Sequence, residues 1–153
     1  MIEEEHIGER SQRWAAAPVK QTGSDPPRIV LAEDDEEMAF LLVRALERAG
    51  YKVDVCHTGW DLLKTLGVFP ATAAYKDVAL VISDIRLPGI SGLDTLKTCG
   101  YVGGFPPVIL ITAFGDKWTH EEARRLGAVE VMDKPFDIDK LVDKVRALVP
   151  PPA

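Results

Sequence analysis

Four places in the chain combine reactive residue types with a short apolar run just before them. Glu33-Asp34-Asp35 follow Ile29-Val30-Leu31-Ala32, Asp84 follows 78–83, Thr112-Ala113 close the run 108–111, and Lys134-Pro135 follow 129–132. Clustered carboxylates repel, by about 4 kcal/mol for unit charges ~4 Å apart at an effective dielectric of 20. Such a cluster persists only beside positive charge. Hard oxygen donors suit Mg²⁺ better than Zn²⁺. With Mg²⁺ and Lys134 alongside, one carboxylate stays ionised and can act as a nucleophile. A metal, an ammonium and a hydroxyl are also what the oxygens of a transferring phosphoryl group require. The chemistry indicated is phosphoryl transfer onto an aspartate. Each piece alone is ordinary: Asp34 or Asp35 a helix cap, Thr112 a strand residue, Lys134-Pro135 a turn. Their coincidence at four strand ends favours the functional reading.

For those pieces to meet, the intervening segments must place every strand end on one rim. Residues 28–32 are short and β-branched, as in a buried parallel strand. Met38, Leu41, Leu42, Ala45, Leu46 and Ala49 share a helical face that Gly50 ends. Further strands are predicted around 53–55, 78–83, 108–111 and 129–132. Helices are predicted around Leu62–Leu66, after Gly92, from an Asp116 cap to Leu126 with Gly127 at its end, and from Ile138 to Leu148. Five strands alternating with five helices imply an α/β fold with a parallel sheet covered on both faces. The active crevice of such a sheet lies beyond the strands' carboxyl ends.

The chain has 153 residues, which suits one domain, and a net charge of −6, which gives no bulk attraction for nucleic acid or anionic lipid. No apolar run approaches a membrane span, and the acidic start lacks the order of a signal peptide, so a cytoplasmic location is expected. Cys56 and Cys99 are read as buried apolar residues in a reducing compartment. Residues 1–27 are read as a mobile tail with a candidate helical turn or partner-binding peptide around Trp14, 28–149 as the domain, and 150–153 as a Pro-rich end.

The segments Ile29–Asp35, Ile82–Gly92, Val108–Ala113 and Gly127–Phe136, in this order and spacing, resemble the receiver domains of bacterial two-component response regulators over 28–149. Thr112–Asp116 and Lys134–Asp139 are most similar to receivers of the nitrogen-regulatory type. The resemblance implies a flavodoxin-like, doubly wound sheet of order 2-1-3-4-5 with five helices. It implies Asp84 as phosphoacceptor and Mg²⁺ as cofactor, with Glu33, Asp34, Asp84 and the Arg86 carbonyl as its ligands. Thr112, Lys134 and the Ala113 amide would contact phosphoryl oxygens, Lys134-Pro135 would be cis, and Asp35 would cap the first helix instead. The expected partners are a histidine kinase or histidine phosphotransfer protein and a downstream protein target, with no direct nucleic acid and no membrane. A homodimer through the fourth helix, fifth strand and fifth helix is a further expectation. Arg86 and Phe114 would flank the site and tune the lifetime of the acyl phosphate. One position departs from the family: Val131 stands where a switch Tyr or Phe is usual.

Three functions compete. A stand-alone phosphorelay receiver, a signalling domain rather than an enzyme, fits the length and the intact site residues. A phosphatase forming an aspartyl phosphate commonly carries a second acid two residues after its nucleophile, where this chain has Arg86. A phosphate-independent interaction module is kept open only by Val131.

Overall fold

The computed structural model describes residues 25–113 and 115–152. The reading of a tail around Trp14 and the placement of Phe114 lie outside the described residues. Five strands, β1 (Arg28–Ala32), β2 (Lys52–Cys56), β3 (Leu80–Asp84), β4 (Val108–Thr112) and β5 (Glu130–Asp133), form one parallel sheet in the order β2-β1-β3-β4-β5. Five helices connect them: α1 (Glu36–Arg48), α2 (Gly59–Thr65), α3 (Gly92–Cys99), α4 (Lys117–Arg125) and α5 (Ile138–Leu148). The expected architecture and strand order are observed.

Alternation along each strand divides the core in two. Ile29, Leu31, Leu80, Ile82, Ile109 and Ile111 pack with Leu42 and Leu46 of α1 and Leu141 and Val145 of α5. Val30, Val81, Val108 and Leu110 pack with Leu62 and Leu63 of α2, Leu96 of α3 and Ala123 of α4. Both faces are apolar because both are covered, which is why the strands read as continuous hydrophobic runs.

Local sequence sets the helix ends. Asp35 caps α1 through the amides of Glu37 and Met38, as expected, and Asp116 caps α4 through Thr119. Gly50 (φ +104°) and Gly127 (φ +107°) follow α1 and α4 in the left-handed conformation that glycine adopts at low cost. Strands β3 and β5 start later than the apolar runs suggest, because Val78 and Ala79 belong to the exit of a 3₁₀ turn (Ala74–Asp77) and Val129 to the approach to β5. The expected cis bond at Lys134-Pro135 is present, and a second lies at Phe69-Pro70.

At the end where strands begin, the Tyr51 hydroxyl donates to the Val149 carbonyl after α5, and Lys52 N–H donates to the Pro27 carbonyl at 2.9 Å. Burial raises the Tyr51 phenol above its ordinary range.

Cys56 and Cys99 are buried free thiols. Burial pushes Cys99 up to about 12 and also raises Cys56. A raised thiol pKa lowers the thiolate fraction, and burial shields both sulfurs from reagent. Ellman's reagent at pH 8 should therefore find no fast-reacting thiol in the native protein and two after denaturation. Rapid native labelling of Cys99 would contradict its placement.

Candidate functional site

The sheet order reverses between β1 and β3, so their carboxyl ends open the crevice where ligands bind in folds of this type. Glu33 follows β1 and is 1% exposed, and Asp84 ends β3 at 6%. Asp34 is exposed on the rim beside them. Glu33, Asp34 and Asp84 each offer a carboxylate oxygen, and these oxygens lie within 4.8 Å of one another. From the far side, Lys134 after β5 donates to Glu33 Oε1 at 2.8 Å and to Asp84 Oδ2 at 2.7 Å. The remaining oxygens are engaged by backbone: Asp35 N–H to Glu33 Oε2 at 3.2 Å, and Arg86 N–H to Asp84 Oδ1 at 3.1 Å.

Backbone contacts hold these groups. The Ile85 amide donates to Ile111 O at 2.8 Å, which carries the β3–β4 pairing past Asp84. The Lys134 amide donates to Thr112 O at 2.7 Å, so β4 and β5 deliver Thr112 and Lys134 together. Gly92 and Gly59 clamp the loop after Asp84. A Cβ at Gly92 would stand 2.4 Å from the Asp84 carbonyl oxygen, and one at Gly59 would stand 2.1 Å from that of Ile90. Both clashes are with backbone, so α2 and α3 approach this loop as closely as glycine permits.

Electrostatics follow from burial and pairing. Burial raises the Glu33 carboxyl above its usual range, while bonds from Lys134 and the Asp35 amide pull it partly back. Burial alone would lower Lys134, but its bonds to Asp84 and Glu33 outweigh that and raise it. The ammonium is thus held charged between two acids. The donor chemistry, three carboxylates close together with one facing solvent, fits a hard divalent cation such as Mg²⁺.

The chain matches the response regulator receiver domain family over residues 29–146. It belongs to that family. This receiver is 36% identical over 122 residues to the uncharacterized transcriptional regulatory protein YkoG of Bacillus subtilis, covering 78% of this chain and 49% of that protein. It is 34% identical over 119 residues to the DNA-binding transcriptional regulator NtrC of Escherichia coli, covering 78% of this chain and 24% of that protein. The fold superposes on the signal receiver domain of a LuxO repressor protein from Vibrio parahaemolyticus with a TM-score of 0.71 and 26% identity, covering 80% of this chain and 88% of that one. The receiver spans half or less of these two curated relatives. Since YkoG and NtrC match about equally well, the nitrogen-regulatory type is one of several similar groups rather than set apart.

In this receiver the sequence-predicted Glu33, Asp34, Asp84 and Lys134 converge. Thr112 is buried at the end of β4, Ala113 is exposed just beyond it, and Arg86 reaches the site through its amide. Val131 is 5% exposed and packed in the cluster that holds Leu110, Ala123 and Ala128. Sequence reasoning missed His57, whose Nδ1 lies 3.0 Å from the Glu33 carbonyl. A single histidine at a strand end has no spacing signature. Also unpredicted is a shallow hollow of about 380 Å³ on α1, lined by Glu36, Glu37, Phe40 and Leu41, with Phe40 and Leu41 mostly exposed. Leu41 belongs to the apolar helical face that the sequence spacing predicts. The stripe instead turns slightly, so that Ala39, Leu42 and Leu46 are buried. Among the described residues no helix is long and apolar enough to cross a membrane.

Proposed function

We propose that this receiver accepts a phosphoryl group on Asp84 from a histidine kinase or a histidine phosphotransfer protein and signals through altered protein contacts. The observation that carries the proposal is the pairing of buried Asp84 with Lys134 beside Glu33 and Asp34 at the sheet's switch point. An Asp84 carboxylate oxygen attacks phosphorus, the phosphorus–nitrogen bond of the donor breaks, and the electron pair stays on the imidazole. Glu33, Asp34, Asp84 and the Arg86 carbonyl would hold Mg²⁺, which supplies positive charge for the phosphoryl oxygens. Lys134 sets its ammonium against Asp84 before transfer and offers it to the phosphoryl group afterwards. Thr112 and the Ala113 amide complete the oxygen contacts. The acid-rimmed apolar hollow on α1 suits a donor helix with a basic edge. In the test, intact-mass analysis after acetyl phosphate and Mg²⁺ should show one added phosphoryl group. A stable adduct on Ser83 or Thr112 would refute the assignment.

A cytoplasmic location belongs to the same proposal, and fractionation of native cells should find the product in the soluble fraction. A homodimer through α4, β5 and α5 is proposed in turn, with light scattering before and after phosphorylation as its test.

The metal role makes a separate prediction. Asp34 adds a carboxylate beside two others and lacks the burial of its neighbours. Without Mg²⁺, Asp34→Ala should raise Tm, by about 2 °C, since relief of exposed repulsion is worth a fraction of a kcal/mol. Millimolar Mg²⁺ should raise Tm of the wild type and not of the variant, because only a ligand bound to the folded state stabilises it. Equal Mg²⁺ responses would remove Asp34 from the ligand set.

A further inference from the structure

Beside the site, His120 of α4 donates from Nε2 to Oδ1 of Asp133, the last residue of β5, at 2.8 Å. Gly115 lies directly over this pair. A Cβ built there would fall 1.5 Å from Asp133 Oδ1 and 2.7 Å from His120 Nε2. The β4–α4 connection is therefore pressed onto a bridged side-chain pair with no space between them. The Asp133 end of the bridge and the Gly115 above it both lie near phosphoryl-contact residues. Asp133 precedes Lys134 and is the register partner of Thr112, and Gly115 follows Ala113 by two residues. We propose that the His120–Asp133 bridge is a latch holding the β4–α4 connection in its resting position, and that phosphorylation of Asp84 works against it.

The reasoning rests on the phosphoacceptor reading above. A phosphoryl group bonded by Thr112 and by the Ala113 amide draws this connection toward Asp84. Gly115 moves with it, and its close fit over Asp133 is disturbed. Val131 supplies no alternative movement, being a β-branched residue packed in the core. The bistable element is the connection itself, and the bridge sets its resting bias. His120 and Asp133 are positioning residues, since neither lies among the groups that bond Asp84.

Three variants open the latch from different sides. His120→Ala removes the donor, and Asp133→Ala removes the acceptor. Gly115→Ala displaces the Asp133 carboxylate without altering either partner, and its backbone is not in the left-handed region, so alanine is tolerated there. Each should bind beryllium fluoride with Mg²⁺ about three- to tenfold more tightly than the wild type, the factor that one side-chain hydrogen bond supports. His120→Gln, which keeps a donor near Nε2, should restore wild-type affinity. The His120→Ala, Asp133→Ala double variant should match the single variants. In the free His120→Ala protein, the Ala113, Gly115 and Asp116 amide shifts should move toward those of the beryllium fluoride-bound wild type. If the folded variants bind as the wild type does or more weakly, or if Gln fails to rescue, the latch is wrong and the phosphoacceptor reading stands. If the wild type itself binds no beryllium fluoride, both fall.

Discussion

Asp84→Asn is expected to take up no phosphoryl group from acetyl phosphate, even at saturating Mg²⁺, while the wild type gains one. The amide keeps the shape of the carboxylate but lacks the anionic oxygen that attacks phosphorus. It also forms no ion pair with Lys134, which in the wild type bonds Asp84 Oδ2 at 2.7 Å. The expected loss is at least about a thousandfold in rate, the scale seen when a covalent nucleophile is removed. The variant should fold, because Asn still accepts from the Arg86 amide and Lys134 keeps Glu33. Intact-mass spectrometry with circular dichroism as a folding control decides the matter. A residual adduct of wild-type yield would move the acceptor elsewhere.

Lys134→Ala should lower stability by about 3 kcal/mol in Mg²⁺-free buffer at pH 7.5. Its ammonium compensates two acids, Glu33 with a side chain 1% exposed and Asp84 at 8%. Removing one partner of a buried pair strands the other charges, at about 3–5 kcal/mol. The lower end applies because the Lys134 side chain is itself 20% exposed. The deficit depends on pH, with a sign set by Glu33. Its folded-state pKa is already raised by burial, and loss of Lys134 raises it further. A raised folded pKa means that the native state binds the proton more tightly than the unfolded chain. Stability is then gained as pH falls and lost as pH rises through the folded value. Urea melts should show the gap between variant and wild type narrowing from pH 7.5 toward 5. A gap that widens on acidification, or no gap at pH 7.5, would show that Lys134 does not carry the compensation.

Both results depend on residues that the sequence alone makes legible. Asp84, Lys134, Glu33 and Asp34 could be found because each follows a short β-branched run, and parallel strands deliver their carboxyl ends to one rim. The Asp35 and Asp116 caps were legible for a similar reason: an acidic residue before a helical stripe has one local role. The His57 contact with Glu33 and the His120–Asp133 bridge were not legible, since their partners sit 24 and 13 residues away in register relations that no local pattern encodes. The glycine clamp was hidden for another reason. Gly59 and Gly92 each precede ordinary helix residues, and only the built backbone reveals that a single methyl would collide with Ile90 or Asp84. Leu41 misled because a helix stripe is wider than the contact it makes, so one edge of the apolar face was left to solvent.

The Tyr51–Val149 bond and the Pro27–Lys52 contact have a practical outcome for anyone attaching cargo to this molecule. Both routes by which the chain joins the sheet region meet at the pole where the strands start. Asp84 is at the other pole, a five-residue strand away, roughly 16 Å at the usual rise per residue. A fluorescent protein, an affinity handle or a surface anchor fused at either side hangs from the pole remote from Asp84. Immobilised that way, the molecule presents its acidic crevice and the α1 hollow outward to a phosphodonor, which makes it suited to serve as the fixed half of a binding sensor.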